Sequence, residues 1–207
     1  MKSTKPVFAA ILVIILATNA MKAAASEYGL DPDHTQIGFS VKHMVISSVK
    51  GSFDKFSGSF TVNKANQLTS ANAKIDVASI NTKAQKRDKH LKSPEFFSQK
   101  EFPYIEFTTK KIVNGNSSSS SGGKVVTSTT VVGDLTIKGI TKSVTLTGEM
   151  VGPIKDFRGN SRLGFHLEGK INRKDYNVAF HAVLEAGGLV VGDEVTIILD
   201  IEGVERL

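Results

Sequence analysis

No cysteine occurs among the 207 residues. That single absence excludes a disulfide framework, a cysteine nucleophile, a thiolate zinc site and a lipid-modified amino-terminal cysteine, though it does not fix the compartment. Tryptophan is missing as well. So is the serine elbow Gly-x-Ser-x-Gly of α/β hydrolases, and so are the full glycine-rich loops Gly-x-x-x-x-Gly-Lys-Ser/Thr and Gly-x-Gly-x-x-Gly that cradle phosphates; the partial match Gly164 to Lys170 is followed by Ile171. The five histidines, His34, His43, His90, His166 and His181, form neither His-x-x-x-His nor His-Glu-x-x-His, so no metal site is readable from spacing and no cofactor is implied. Charge of one sign is also scarce. Lys and Arg number 26 against 20 Asp and Glu, a net +6, and a chain starting at Ser26 loses Lys2, Lys5 and Lys22 and keeps +3. That is too little to argue for a nucleic-acid partner.

The longest apolar run, residues 7–17, has 11 members and falls short of the roughly 20 that span a bilayer core. Lys2 and Lys5 precede it and Ala23-Ala24-Ala25 follow. This order of charge, apolar stretch and small residues predicts a secretory signal over 1–25, cleaved after Ala25 or after Ala20. The mature chain is then expected to be periplasmic or secreted, with no transmembrane segment left.

From Tyr28 onward the apolar period is two. Ile37, Phe39 and Val41 alternate with Gly38, Ser40 and Lys42, which gives the segment one core-facing side. The alternation returns at Phe60 and Val62, Ala73 to Val77, Ile105 and Phe107, and Leu135 and Ile137. It continues at Val144 and Leu146, at Leu163, Phe165 and Leu167, and at Val195, Ile197, Leu199 and Ile201. About eight strands result. Between them, Asp31-Pro32-Asp33, Asn63 to Asn66, Lys138-Gly139 and Gly187-Gly188 supply turn chemistry. One polar stretch breaks the pattern: Asn81-Thr82 is placed to cap a short helix over 83–91, outside the sheet and held through Ala84, Leu91 and Phe96-Phe97. Residues 114–123, with five consecutive serines, are expected to form a long flexible hairpin loop within a single domain over 26–207.

Eight antiparallel, half-apolar strands close as a barrel or pack as a sandwich, and an eight-stranded barrel has room for one elongated ligand. Eleven of the 12 phenylalanines lie beyond the leader, and they suit a lipid pocket or a solid core equally. The interior set expected is Ile37, Phe39, Val41, Phe53, Phe60, Phe96, Phe97, Ile105, Phe107, Leu135, Ile137, Phe165 and Leu167, all but Phe53, Phe96 and Phe97 from the alternating segments. His43, Arg87, Asp88, His90, Asn172 and Arg173 form the polar set. Each either satisfies loop backbone and charges or lines a pocket mouth, where arginine's planar fork of donors suits an anionic head group.

Several separated segments resemble the YceI-like family of secreted bacterial proteins. They include Asp31-Pro32-Asp33-His34-Thr35 through His43, Val49 to Phe53, Arg87-Asp88-Lys89-His90-Leu91, Phe102 to Phe107, Gly133-Asp134-Leu135-Thr136-Ile137-Lys138-Gly139, and Ile171-Asn172-Arg173-Lys174-Asp175-Tyr176. The resemblance implies an all-β, lipocalin-like antiparallel barrel whose tunnel binds a long-chain isoprenoid, quinone or other amphiphilic lipid. It implies no established catalysis and leaves a homodimer open. Asn177 departs from the glycine frequent there, and the serine tract is longer than a typical connection.

Overall fold

The computed structural model describes residues 25–44, 46–119, 124–180 and 190–206. Nearly all of the expected leader, together with His181 and Gly187-Gly188, lies outside the described residues. Among the described residues there are eleven hydrogen-bonded strands: β1 (Ser26–Leu30), β2 (Gln36–His43), β3 (Ser47–Phe53), β4 (Phe56–Val62), β5 (Leu68–Asp76), β6 (Ile80–Asn81), β7 (Tyr104–Ser119), β8 (Val125–Ile137), β9 (Ile140–Lys155), β10 (Ser161–Asn172) and β11 (Val191–Glu205); the eight alternating segments lie in β2, β4, β5 and β7 to β11, and β1, β3 and β6 are additional.

Eleven strands reduce to eight courses because three courses are each broken once. β11 pairs antiparallel with β2 through Ile197↔Phe39 and with β1 through Gly29↔Val204, so β1 and β2 are two halves of one course. β3 pairs with β2 and β4 with β1. β6 pairs with β3 and β5 with β4. From there β5, β7, β8, β9, β10 and β11 pair in chain order. Every neighbour in the closed ring is therefore the next course along the chain. This is an up-and-down antiparallel barrel, closed through the β1–β11 pairing with the short β6 left at the end of the sheet.

The first of these breaks has a side-chain cause. Between β1 and β2, the Thr35 hydroxyl donates to the Glu202 carbonyl at 3.1 Å and accepts from the Glu202 N–H at 3.0 Å, taking the place of a ladder pair. At the same point the Arg162 guanidinium donates to Asp31, Asp156 and Glu202 at 2.7, 2.9 and 2.5 Å. It ties the first turn to the β9–β10 hairpin and to β11. This network holds the Asp31 and Asp156 carboxyls below the usual carboxylate range, chiefly through the Arg162 hydrogen bond.

Two local expectations need correction. The tract over 114–123 does not leave the sheet at Asn114: β7 runs to Ser119, with Ser117↔Thr127, Ser118↔Val126 and Ser119↔Val125 in register. Serine has little strand preference of its own, but β8 offers a ladder rich in Val and Thr, and tertiary pairing overrides composition. The Ser117 and Thr127 hydroxyls meet at 2.8 Å, and the Asn114 amide donates to the Leu68 carbonyl across to β5. The helix also starts later than expected, as α1 (Gln85–Leu91) with Ala84 at its N-cap and no side-chain cap. Asn81 is engaged instead in accepting from the Lys83 N–H, and Lys83 takes φ +60°, which prevents a helix from beginning there.

The barrel interior has two packed regions. At one end Tyr28, Phe60 and Phe165 form a floor: Phe60 stacks on Tyr28 at 5.1 Å and meets the edge of Phe165 at 4.9 Å. Gly203 lies beneath, and a Cβ there would sit 2.4 Å from the Phe60 ring. Toward the other end, Phe53, Ile75, Ile105, Leu135 and Tyr176 pack with Phe96, and α1 with the loop that follows it covers this end.

Candidate functional site

A cavity of about 210 Å³ lies between the two regions. Its walls come from all eight courses. β2 supplies Ile37, Phe39 and Val41, β3 Phe53, and β4 Phe60. β7 supplies Ile105 and Phe107, β8 Leu135 and Ile137, and β10 Phe165 and Leu167, while Phe96 and Phe97 reach in from the loop after α1. All thirteen interior residues expected from the sequence thus border one space. The same period-two signal runs through Ala73, Ile75, Val144, Leu146, Val195, Ile197, Leu199 and Ile201, which also border it and belong with that set. Leu30, Val131, Tyr176 and Val178 line it too; Val131 shares the inward face of β8 with Leu135 and Ile137, while Leu30, Tyr176 and Val178 sit in short or irregular segments where no alternation points to them.

A second cavity of about 160 Å³ adjoins the first and shares Phe39, Val41, Leu91, Phe96 and Val191 as walls. Its remaining lining is polar and basic: Lys42, His43, Arg87 and His90, with Val49 and Phe180. The structure therefore brings together three of the six polar residues, His43 from the end of β2 and Arg87 and His90 from α1. His90 is fixed by the edges of Phe96 and Phe180, 5.0 and 5.2 Å away, and by Glu95, whose carboxylate lies 2.5 Å from Nε2. Arg87 donates from Nε to the Thr82 hydroxyl at 2.7 Å and from Nη2 to the Thr82 carbonyl at 2.8 Å, so it braces the loop as well as facing the vestibule.

The other three polar residues are occupied in holding backbone. The Asp88 carboxylate accepts from the Thr82 N–H and hydroxyl. Asn172 accepts from the Lys174 N–H and caps a 3-10 turn over Arg173–Tyr176. Arg173, 5% exposed, borders the cavity, yet its guanidinium donates to the carbonyls of Val178, Gly192 and Val191 and to Asp193. It pins the β10–β11 connection. Asn177 closes that 3-10 turn in the left-handed region at φ +55°, which asparagine tolerates and glycine adopts without strain.

Polar groups are few on the main cavity wall. Asn72 donates to Ser59 at 3.3 Å, and Tyr176 places a phenol among hydrocarbon. Burial, followed by the nearby Asp175 charge, pushes the Tyr176 hydroxyl up to about 12, so it stays protonated at neutral pH. At the opposite end of the barrel, ligand atoms of Asp31, His34 and Glu202 converge within 4.8 Å. The Arg162 guanidinium already supplies the positive charge between Asp31 and Glu202 there. Among the described residues no helix is long and apolar enough to cross a membrane.

The chain is similar in sequence and fold to known proteins. UPF0312 protein SA2479 of Staphylococcus aureus strain N315 is 39% identical over 173 residues, covering 82% of this chain and 92% of the relative. The crystal structure of the Campylobacter jejuni YCEI protein matches with a TM-score of 0.64 at 30% identity, over 80% of this chain and 90% of that one. A polyisoprenoid binding domain from Saccharophagus degradans, implicated in plant cell wall breakdown, shares the fold at a TM-score of 0.58 and 15% identity, over 86% and 98% of the two chains. The YceI-like domain family matches residues 28–203, and the chain belongs to it.

Proposed function

We propose that this protein is a periplasmic or secreted binding protein that carries or sequesters a long-chain isoprenoid or similar amphiphilic lipid inside its barrel. The observation that carries the reading is the cavity itself, enclosed by eight courses and walled almost wholly by hydrocarbon. An apolar chain is its natural occupant. Each buried methylene contributes roughly 0.8 kcal/mol, so about 15 buried carbons supply on the order of 12 kcal/mol before association costs. The tail then accounts for affinity, and the vestibule of Lys42, His43, Arg87 and His90 is left to orient and select the head group. The polyisoprenoid binding named for the Saccharophagus degradans domain supports the same ligand class, and the leader-like order of residues 1–25 supports export.

The reading is one of binding rather than turnover. Among the described residues His43 and His90 line the vestibule without an activated nucleophile beside them, and His90 is paired with Glu95. The test is native mass spectrometry of protein purified without detergent from its own compartment, followed by identification of any released lipid. We expect one lipid per chain with a polyprenyl or comparable tail. Protein that carries nothing, and takes up no prenyl lipid in titration, would show the interior to be ordinary core.

A further inference from the structure

Among the described residues three buried side-chain polar atoms lack a hydrogen-bond partner: Ser93 Oγ, Asn114 Oδ1 and the Tyr176 hydroxyl. The first two do not border the main cavity; Tyr176 does. It is 1% exposed and packs among Ile75, Ile105, Leu135 and Val144 in the upper core. Buried hydroxyls in folded proteins are nearly always paired, and each exception calls for a reason.

The other polar groups on this wall are engaged. Arg173 is spread over three carbonyls and Asp193, and Asn72 is bonded to Ser59. A water placed against the phenol would therefore lack the two to four polar partners that hold a buried water. The phenol stays protonated, because its hydroxyl is pushed up to about 12, so what it offers is a proton on oxygen. Tyr176 ends the 3-10 turn that follows β10, at the end of the barrel where α1 and the basic vestibule lie. The first polar atom of a lipid whose tail points to the Phe60 floor belongs at this level.

We propose that the Tyr176 hydroxyl donates a hydrogen bond to an oxygen at the head of the bound lipid, which makes the ligand a prenyl-type chain ending in an oxygen acceptor rather than a plain hydrocarbon. This rests on the lipid-binding reading above. The shared chemistry is an accepting oxygen, supplied by a quinone carbonyl or by the ester oxygen of a prenyl phosphate.

The experiment compares the protein with Tyr176→Phe, using three probes of equal chain length: a prenyl quinone, a prenyl phosphate and the prenyl hydrocarbon. Dissociation constants are measured by displacement titration. The unaltered protein should prefer at least one oxygenated probe to the hydrocarbon by about tenfold, the scale of one hydrogen bond in a buried site. Tyr176→Phe should reduce that preference by about tenfold while binding the hydrocarbon equally well, the vestibule's own attraction for an anionic head being unchanged. A preference for the quinone assigns a carbonyl, and one for the phosphate assigns an ester oxygen. Ligand-free Tyr176→Phe should melt no lower than the parent, because the variant removes an unpaired buried hydroxyl. A lower melting temperature would mean that the hydroxyl is already paired within the protein, which overturns the proposal. So would a head-group preference that survives undiminished in the variant. If the hydrocarbon binds but oxygen confers no advantage, only this inference falls; if no probe binds the unaltered protein, the carrier reading falls with it.

Discussion

Phe60→Ala tests whether the barrel is a tunnel with a packed floor. The Phe60 ring is 3% exposed, stacked on Tyr28, set against the edge of Phe165 and seated over Gly203, while also bordering the cavity. Large-to-small changes of this kind cost about 3–5 kcal/mol, the spread reflecting how far the surroundings collapse at ~24 cal/mol per Å³ of residual void. The ~2 kcal/mol between those limits thus corresponds to about 80 Å³ that fails to relax. A closed barrel holds its walls apart by hydrogen bonds around the ring, and a cavity of about 210 Å³ already persists beside Phe60. Relaxation is therefore small, and the loss is expected at about 4–5 kcal/mol. For a domain of this size that lowers the melting temperature by on the order of 8–20 °C. Urea melts of the ligand-free variant give the magnitude, with Phe157→Ala as the control, since Phe157 is 93% exposed and its loss should stay within about 0.5 kcal/mol. Lipids with longer chains should recover part of the stability, at about 0.8 kcal/mol for each methylene that enters the vacated floor. A loss below about 2 kcal/mol with no change in preferred chain length would refute the packed floor.

Arg162→Met should weaken the protein at neutral pH and flatten its acid response. Asp31 and Asp156 have their folded-state carboxyls lowered by Arg162, so their contribution is present above the unfolded carboxylate range near pH 4 and is lost as pH falls below it; melts between pH 7 and pH 2 read the difference, and parallel curves for the two proteins would refute it. Replacing 114–123 by a two-residue turn should cost several kcal/mol in denaturant melts rather than the fraction expected of a free loop, because it removes the strand facing the buried Thr127 and Thr129 and the Asn114 bond to Leu68. Arg87→Ala should lower stability by about 1–3 kcal/mol by taking the donors from nearly buried Thr82, whereas His90→Ala should change stability little and reduce selectivity among charged head groups; equal losses for anionic and neutral lipids in either variant would remove the vestibule from head-group recognition.

Period-two alternation was enough to mark one strand in each of the eight courses, its inward face and hence most of the cavity wall, because in a strand the side of the sheet is decided locally by the pleat; β1, β3 and β6 were not marked by it. Ile37, Phe39 and Val41 are the plainest case. The turn residues and the antiparallel order were legible for the same local reason. What the sequence could not decide depends on partners distant in the chain. Whether 114–119 is loop or strand rests on β8, whose ladder draws in serines that have no strand preference of their own. Arg173 and Arg87 look alike as basic residues beside an acid. One is consumed by carbonyls of the β10–β11 connection, while the other also faces the vestibule, and only the packing of each segment distinguishes them. Tyr176 is the sharpest instance: its motif marks it as an aromatic on a turn, but that its hydroxyl is buried beside an apolar cavity with no partner follows from closing eight courses into a ring. Hydrophobic pattern is a property of neighbours along the chain; satisfaction of a buried polar group is a property of neighbours in space.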